Sequence, residues 1–399
     1  MKPKERCFME RLWTKSYIFM ITGMFFLFTA FYMLYPTLPL FIKENGGTES
    51  QVGLAMGAFM LTSVIFRPFV GGLLDRFGRR PFIIWGLLLF AATMFMYNWV
   101  SELAVLMVIR ILHGFTWAVS TTSISTAVTD LIPTTRRGEG MGWSGMAMTV
   151  AMAIGPMLGL AVANNHSYES LFGFAVLLSV AALALTFGAK IKATPQANTR
   201  KIELFDKSVF PITLSVFLLF IAYGGITTYI PLFADSIKVN SGTFFLVYAA
   251  TLVLTRPIAG KLSDRHGEAF VIIPAKVITI SALIILSLST NLLGIIISAI
   301  LYGIGFGSAQ PALQAATIRL VSPDRTGVAN ASFATGADLG IGLGAMMLGW
   351  ISQYMSYQAL FTVSAVAVVF SLLMFIFLVK RLLNNDAIPH NKEAAKRAL

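Results

Sequence analysis

The sequence predicts an all-α integral membrane protein with twelve transmembrane helices in two six-helix bundles related by internal duplication. Three observations carry this. Of the 399 residues, 56% are hydrophobic and only 12% are charged, where soluble domains carry roughly 25% charged residues. Apolar runs of about 20 residues, long enough to cross a bilayer as helices, recur along the whole length. The second half of the chain repeats features of the first at a constant offset of 189 residues.

The first six spans are expected at 17–41, 52–74, 81–100, 103–130, 138–163 and 168–189. The second six are expected at 209–234, 242–263, 270–290, 292–320, 326–352 and 357–380. Charges, Gly, Pro or Asn mark most boundaries. The first run, beginning near Tyr17 after a basic tail, is too long for a signal peptide, and no small-residue cleavage site follows it. It reads as the first span. The chain therefore divides into an N-terminal bundle (1–189), a polar linker (190–208), a C-terminal bundle (209–380) and a tail (381–399).

Lys and Arg are distributed unevenly. Arg76, Arg79, Arg80, Arg136, Arg137, Lys190, Lys192, Lys261, Arg265, Arg319 and Arg325 fall in even-numbered loops, as do further basic residues in both tails. The odd-numbered loops hold only Lys43 and Lys238. By the positive-inside rule both termini and the linker face the cytoplasm of a plasma membrane. The net charge of +12 is thereby a topology signal, and no nucleic-acid partner is expected. A single cysteine, Cys7, forms no internal disulfide. No Cys/His pattern suits a metal, and no Gly-Lys-Ser/Thr loop suits a nucleotide. Neither an enzyme nor a bound cofactor is expected.

At the offset of 189, Arg67-Pro68 meets Arg256-Pro257. Gly71, Asp75, Arg76 and Gly78 meet Gly260, Asp264, Arg265 and Gly267, and Gly155 meets Gly344. Duplicated bundles of this kind place a substrate site between them near the midplane, and rocking opens it to alternate sides.

The stretch "GGLLDRFGRR" (Gly71–Arg80) resembles the signature of the major facilitator superfamily between its second and third helices. "RILHG" (Arg110–Gly114) is similar to that family's fourth-helix signature, and "AIGPMLG" (Ala153–Gly159) resembles the fifth-helix motif of its antiporters. The resemblance covers essentially the whole chain. It implies the major facilitator fold and the drug/metabolite:proton antiporter branch, with the proton gradient as energy source. Gly155, Pro156 and Gly159 correspond to the antiporter motif, with Leu160 and Ala151 standing where glycines are usual. It also implies a coupling role for Arg110 and a contact of Asp75 with span eleven near Thr326. Exporters of this type often carry an acid in the first helix; here that helix has Thr22, Thr29, Tyr32 and Tyr35 but neither Asp nor Glu.

Ionisable residues inside a membrane point to function. Asp338 sits in the middle of the eleventh span, opposite Thr149 in the first half. It is expected to carry the proton, to pair with a cationic substrate, or to neutralise a buried base such as Arg110 or Lys276. Arg110 and His113 share a helix face with Trp117, and His113 is expected to take part in proton coupling by responding to a proton released elsewhere, or to hydrogen-bond a neighbouring helix. Arg67 and Arg256 are expected near the cytoplasmic ends of their spans, snorkelling or pairing with loop acids. Hydroxylic and aromatic residues suggest a lining from Tyr32, Tyr35, Trp117, Ser120, Tyr223, Thr227, Gln310 and Gln314. Such a lining suits a small amphipathic or zwitterionic solute.

The duplication also exchanges two charges. Arg79 becomes Glu268, and Asp130 becomes Arg319. The double exchange predicts two ion pairs, Arg79–Asp130 and Glu268–Arg319. They are expected to act with the glycines of the two turns as a latch that opens with the cytoplasmic side. The expected activity is export by a monomeric proton antiporter, with an uptake symporter for a small polar solute as the alternative. Drugs, metabolites, metallophores and sugars all fit the lining.

Overall fold

The computed structural model describes residues 11–100, 102–191, 207–321 and 326–383, apart from the side chains of Asp75, Thr134, Arg137, Gly138, Lys207, Thr326 and Gly327. Most of the linker, the tail beyond 383 and the expected Asp75–Thr326 contact lie outside the described set. Among the described residues twelve α-helices follow one another: α1 (Lys15–Glu44), α2 (Glu49–Phe77), α3 (Arg79–Met96), α4 (Leu103–Leu131), α5 (Arg137–Asn165) and α6 (Tyr168–Gly188), then α7 (Phe210–Ser236), α8 (Ser241–His266), α9 (Glu268–Ser287), α10 (Leu292–Arg319), α11 (Thr326–Tyr354) and α12 (Tyr357–Met374). The last continues as a π-helical turn over Phe375–Val379. Each of the twelve is long and apolar enough to cross a bilayer, so the chain is a multi-pass membrane protein.

Several helices run a few residues past their apolar runs because polar caps lie outside them. Thr48 accepts from the Gln51 amide while the Gln51 side chain accepts from the Thr48 amide, a reciprocal cap that starts α2. Ser167, Asn240, Asn291 and Ser356 accept from the first amides of α6, α8, α10 and α12. The α2–α3 and α8–α9 turns are one residue each, Gly78 (φ 83°) and Gly267 (φ 85°). Both adopt a backbone region closed to most L-residues, so the duplication preserved glycine at each.

The duplication is visible in the packing. Within the first bundle α1 packs on α5 and α6, and α4 on α2 and α3; α7, α11, α12 and α10, α8, α9 repeat the plan. Glycines allow the close crossings. A Cβ on Gly114 would lie 2.3 Å from the Phe59 carbonyl oxygen, and one on Gly303 would lie 3.0 Å from the Tyr248 carbonyl oxygen, the matching atom at the same offset. Gly155 and Gly159 bring α5 onto Tyr32 and Met33 of α1, as Gly344 brings α11 onto Ile221 of α7. The glycines of the antiporter-type motif thus pack inside one bundle.

Among the described residues, the bundles are joined mainly by α2 with α11, α5 with α8, and α1 with α7, with a smaller contact of α2 with α7. The first two exchange under the duplication. The joint is tight on the face away from the N terminus. There, a Cβ on Gly53 would sit 2.4 Å from the Ala345 carbonyl oxygen, and one on Gly57 2.2 Å from Met346 Cγ. Across it, the Tyr229 hydroxyl donates to the Glu49 carbonyl (3.3 Å), and the Tyr357 hydroxyl to the Glu49 carboxylate (3.1 Å). The Ser50 amide donates to Gln353 (3.1 Å).

The other face, which carries the Gly78 and Gly267 turns and most of the basic loop residues, is parted. Gly142, Gly145 and Thr149 lie along one side of α5. Thr149 meets Arg256 of the other bundle, but nothing lies within 4 Å of a Cβ placed on Gly145 or Gly142. On α8, Arg256 makes contact and Gly260, one turn on, has nothing within 4 Å. On α2, Arg67 makes contact and Gly71 has nothing within 4 Å. The bundles therefore meet from the far face to mid-depth and diverge towards the basic face.

Candidate functional site

Arg67 lies ten residues before the end of α2, about 15 Å from the basic face at 1.5 Å per residue. The α2 helix overruns a hydrocarbon core about 30 Å thick at its ends. Among the described residues Arg67 pairs with no loop acid but with a carboxylate inside another span, which corrects the expected partner. Its Nη1 is 2.6 Å from Oδ2 of Asp338 on α11. The pair joins the two bundles. It is a charge contact more than an aligned hydrogen bond, since Arg67 Nε and Asp338 Oδ2 have no hydrogen-bond partner. Asp338 thus pairs with neither Arg110 nor Lys276.

The duplication places a second contact at the same depth. Arg256, the counterpart of Arg67, donates to Thr149, the counterpart of Asp338, and to Gln310. Two arginines thus cross between the bundles, one to a carboxylate and one to a hydroxyl, the second also held by the Gln310 amide of its own bundle. Tyr32 lies within electrostatic reach of both Asp338 and Arg256. Tyr35 and Tyr223 join Tyr32, and Tyr248 and Tyr302 extend the group from α8 and α10. The hydroxyls of Tyr35, Tyr248 and Tyr302 are buried without partners. Tyr32, Tyr35, Tyr223 and Gln310 thus gather at the junction of the bundles.

The remaining lining residues do not all join them. Trp117 is stacked on Phe31 (4.1 Å between centroids) and packed against Phe28, inside the first bundle. Ser120 is fully buried against Gly86 of α3. Both face the bundle core, which corrects their expected place in the cavity. In the hydroxyl-rich stretch that suggested a wet surface, the Ser120 hydroxyl is buried without a partner, while Thr121, Thr126 and Thr129 donate to carbonyls one turn back. Thr227 does the same to Tyr223. Gln314, nearer the basic face, donates to Asn330 of α11.

Arg110 is buried, with Nε donating to the Ala55 carbonyl (2.9 Å), Nη1 to the Tyr97 hydroxyl (3.3 Å) and its guanidinium over the Phe59 ring (4.4 Å). The Tyr97 oxygen also lies 2.9 Å from His113 Nδ1. Since arginine can only donate, the Tyr97 proton is available to the imidazole. Nε2 of His113 is unpartnered. Arg110 and His113 therefore form one network with Tyr97 inside the first bundle, and among the described residues no carboxylate pairs with either. Lys276 is buried in the second bundle, where Nζ donates to Ser215 Oγ (2.6 Å), Ser371 Oγ (2.8 Å) and the Ser371 carbonyl (3.0 Å).

The two charge-exchanged pairs are present. Arg79 Nε is 2.8 Å from Asp130 Oδ2, and Arg319 Nη1 is 2.7 Å from Glu268 Oε2. Each joins neighbouring helices of a single bundle, α3 to α4 and α9 to α10, and each is intact while the basic face is parted. They brace the bundle edges, which corrects the expectation that they open as a latch. Arg76 lies over the Phe77 ring, and Asp264 and Arg265 are exposed.

Paired bundles, glycine-lined joints and arginines crossing at mid-depth define a membrane transporter built for rocking. The Major Facilitator Superfamily profile matches residues 20–251 and 239–398, and the chain belongs to that family. It is a transporter, not an enzyme, and its relatives include drug and metabolite exporters. The staphylopine export protein of Staphylococcus aureus strain Mu50 is 24% identical over 390 residues, covering 91% of this chain and 95% of that protein. The quinolone resistance protein NorA of S. aureus strain MRSA252 is 24% identical over 341 residues, covering 82% and 87%. Among solved structures, a bacterial homologue of the lysosomal transporter Spinster superposes with a TM-score of 0.79 at 14% identity, covering 93% of this chain and 97% of that one, a likeness of fold.

Proposed function

We propose that the protein is a proton-coupled antiporter that exports a small amphipathic or zwitterionic molecule by alternating access. The observation that supports this most is the Arg67–Asp338 pair, because it ties an ionisable carboxyl to the joint between the moving bodies. An ion pair requires the carboxylate. Protonating Asp338 removes the attraction, so one proton alters the energy of the contact between α2 and α11.

The basic face is assigned to the cytoplasm of a plasma membrane from its Lys and Arg excess. In this orientation the conformation is inward-open: Asp338 has given up its proton, and the parted face admits substrate. Rocking then exposes the centre to the outside, where substrate leaves and Asp338 takes up a proton. The neutral acid lets the bundles return. The proton gradient is the only energy source required, and a single chain contains both bundles. Homology to drug and metabolite exporters supports outward movement of substrate.

Everted membrane vesicles with an acid lumen test this. A quinolone and an amino-acid-derived metabolite are added as probes, and an acid-sensing dye reports proton efflux. Probe-stimulated efflux that disappears in Asp338→Asn is expected. Equal efflux in wild type and Asp338→Asn contradicts the coupling role, and co-directional movement of proton and probe contradicts antiport.

A further inference from the structure

We propose that Arg256 anchors a carboxylate of the substrate, supplying in the second half of the site the ion pair that Arg67 and Asp338 make within the protein. The argument starts from the duplication. Arg67 and Arg256 occupy equivalent positions, and so do Asp338 and Thr149. Each arginine reaches across to the equivalent position on the opposite bundle. One finds an acid. The other finds Thr149 and Gln310, which accept hydrogen bonds but bring no negative charge.

A charge at this depth is costly, about 2.5–3.5 kcal/mol even on the lenient insertion scales, and is normally neutralised. Among the described residues no carboxylate pairs with Arg256. The groups within electrostatic reach of its guanidinium are the tyrosines Tyr248, Tyr32 and Tyr223, and its Nε has no hydrogen-bond partner. The unused Nε and the unpartnered Tyr248 hydroxyl are donors suited to an oxyanion. One turn towards the basic face from this contact, Gly145 and Gly260 have nothing within 4 Å of a placed Cβ, so the space beside it on that side is not filled by protein. Tyr32 is partly exposed and offers apolar ring surface for the body of the ligand, while Tyr223 and Tyr248 are buried behind it against Phe306 and Phe244. The chemistry is that of an organic acid with an aromatic or aliphatic body, and a zwitterion qualifies through its carboxylate.

This deepens the transport reading and relies on it only for the role of the ligand, so binding and transport are measured separately. The full-length protein in detergent is titrated with 4-phenylbutyrate, indole-3-carboxylate and N-acetylphenylalanine. Each is compared with its methyl ester, and phenethylamine serves as the cationic control. Binding is read as the rise in unfolding midpoint with ligand concentration. The acids are expected to bind at least tenfold more tightly than their esters and than the amine. Arg256→Gln should weaken acid binding at least tenfold. Thr149→Asp should do the same by giving Arg256 the carboxylate that Arg67 already has, and it leaves Arg256 in place should Arg256→Gln fold poorly. Equal binding of acids and esters, undiminished acid binding in Thr149→Asp, or no binding by any acid overturns the proposal. Acids that bind as expected but fail to move with a pH gradient uphold the site and count against the antiport reading.

Discussion

Gly53→Ala tests which face of the protein is sealed and by what. A Cβ at this position falls 2.4 Å from the Ala345 carbonyl oxygen, 2.6 Å from the Tyr229 hydroxyl and 3.1 Å from Met346 Cα. Two of the three obstacles are backbone of α11 and cannot rotate away. Restoring ordinary contact requires α11 to withdraw by about 1 Å. Overpacking of this kind costs about 1–3 kcal/mol. The strain arises only where α2 and α11 touch, so it is relieved when the bundles part on this face. The population should shift towards that opening by about 5- to 150-fold. Ser50, whose Oγ is buried in the seal, provides the reporter. In a Cys7→Ser background, Ser50→Cys is labelled in intact cells with a membrane-impermeant maleimide. Adding Gly53→Ala should raise the labelling rate at least fivefold. Gly71→Ala meets nothing within 4 Å here and should not raise it. An unchanged rate in a folded Gly53→Ala protein refutes the steric argument.

Other consequences are equally specific. Arg79→Glu sets a second acid beside Asp130 and should lower stability by about 1–3 kcal/mol. Adding Asp130→Arg should regain most of it, since the second bundle carries that arrangement as Glu268–Arg319; thermal unfolding of the purified variants measures this. Gly78→Ala and Gly267→Ala should each cost about 1–3 kcal/mol, because both positions pair positive φ with extended ψ (168° and 159°) and have open space around them, so the penalty is conformational. Similar losses at the two sites in unfolding experiments would show the turns to be equivalent. Tyr97→Phe removes the hydroxyl shared by Arg110 and His113 and should lower stability by about 1–3 kcal/mol, again read by thermal unfolding.

The parts legible in the sequence were those written along one dimension. Apolar run length gave the twelve spans, and caps such as Thr48 and Ser356 explain why the helices overrun them. The paired charge exchange at Arg79 and Asp130 located two ion pairs, because compensating substitutions record a contact directly. Their role was less legible, since pairing says nothing about whether the partners move together. Arg67 was given a loop acid as partner because loop acids are its neighbours along the chain, whereas Asp338 lies on a distant helix. The Arg67–Asp338 contact depends further on which helices cross between bundles, which sequence periodicity does not encode. The signal was nevertheless present: Arg67/Arg256 and Asp338/Thr149 share one offset, and a two-fold relation turns the two correspondences into reciprocal contacts. Trp117 and Ser120 misled because hydroxyls and indoles on a membrane helix serve packing as readily as solvation.

The central claim is that protonation of Asp338 governs the joint between the bundles. Spin labels on α2 and α11 near the basic face, in lipid nanodiscs, report their separation by pulsed electron resonance as pH is varied. The account predicts a separation in the wild type that shifts between two populations with pH, and a distribution in Asp338→Asn that no longer responds to pH. The same pH response in wild type and Asp338→Asn would contradict it.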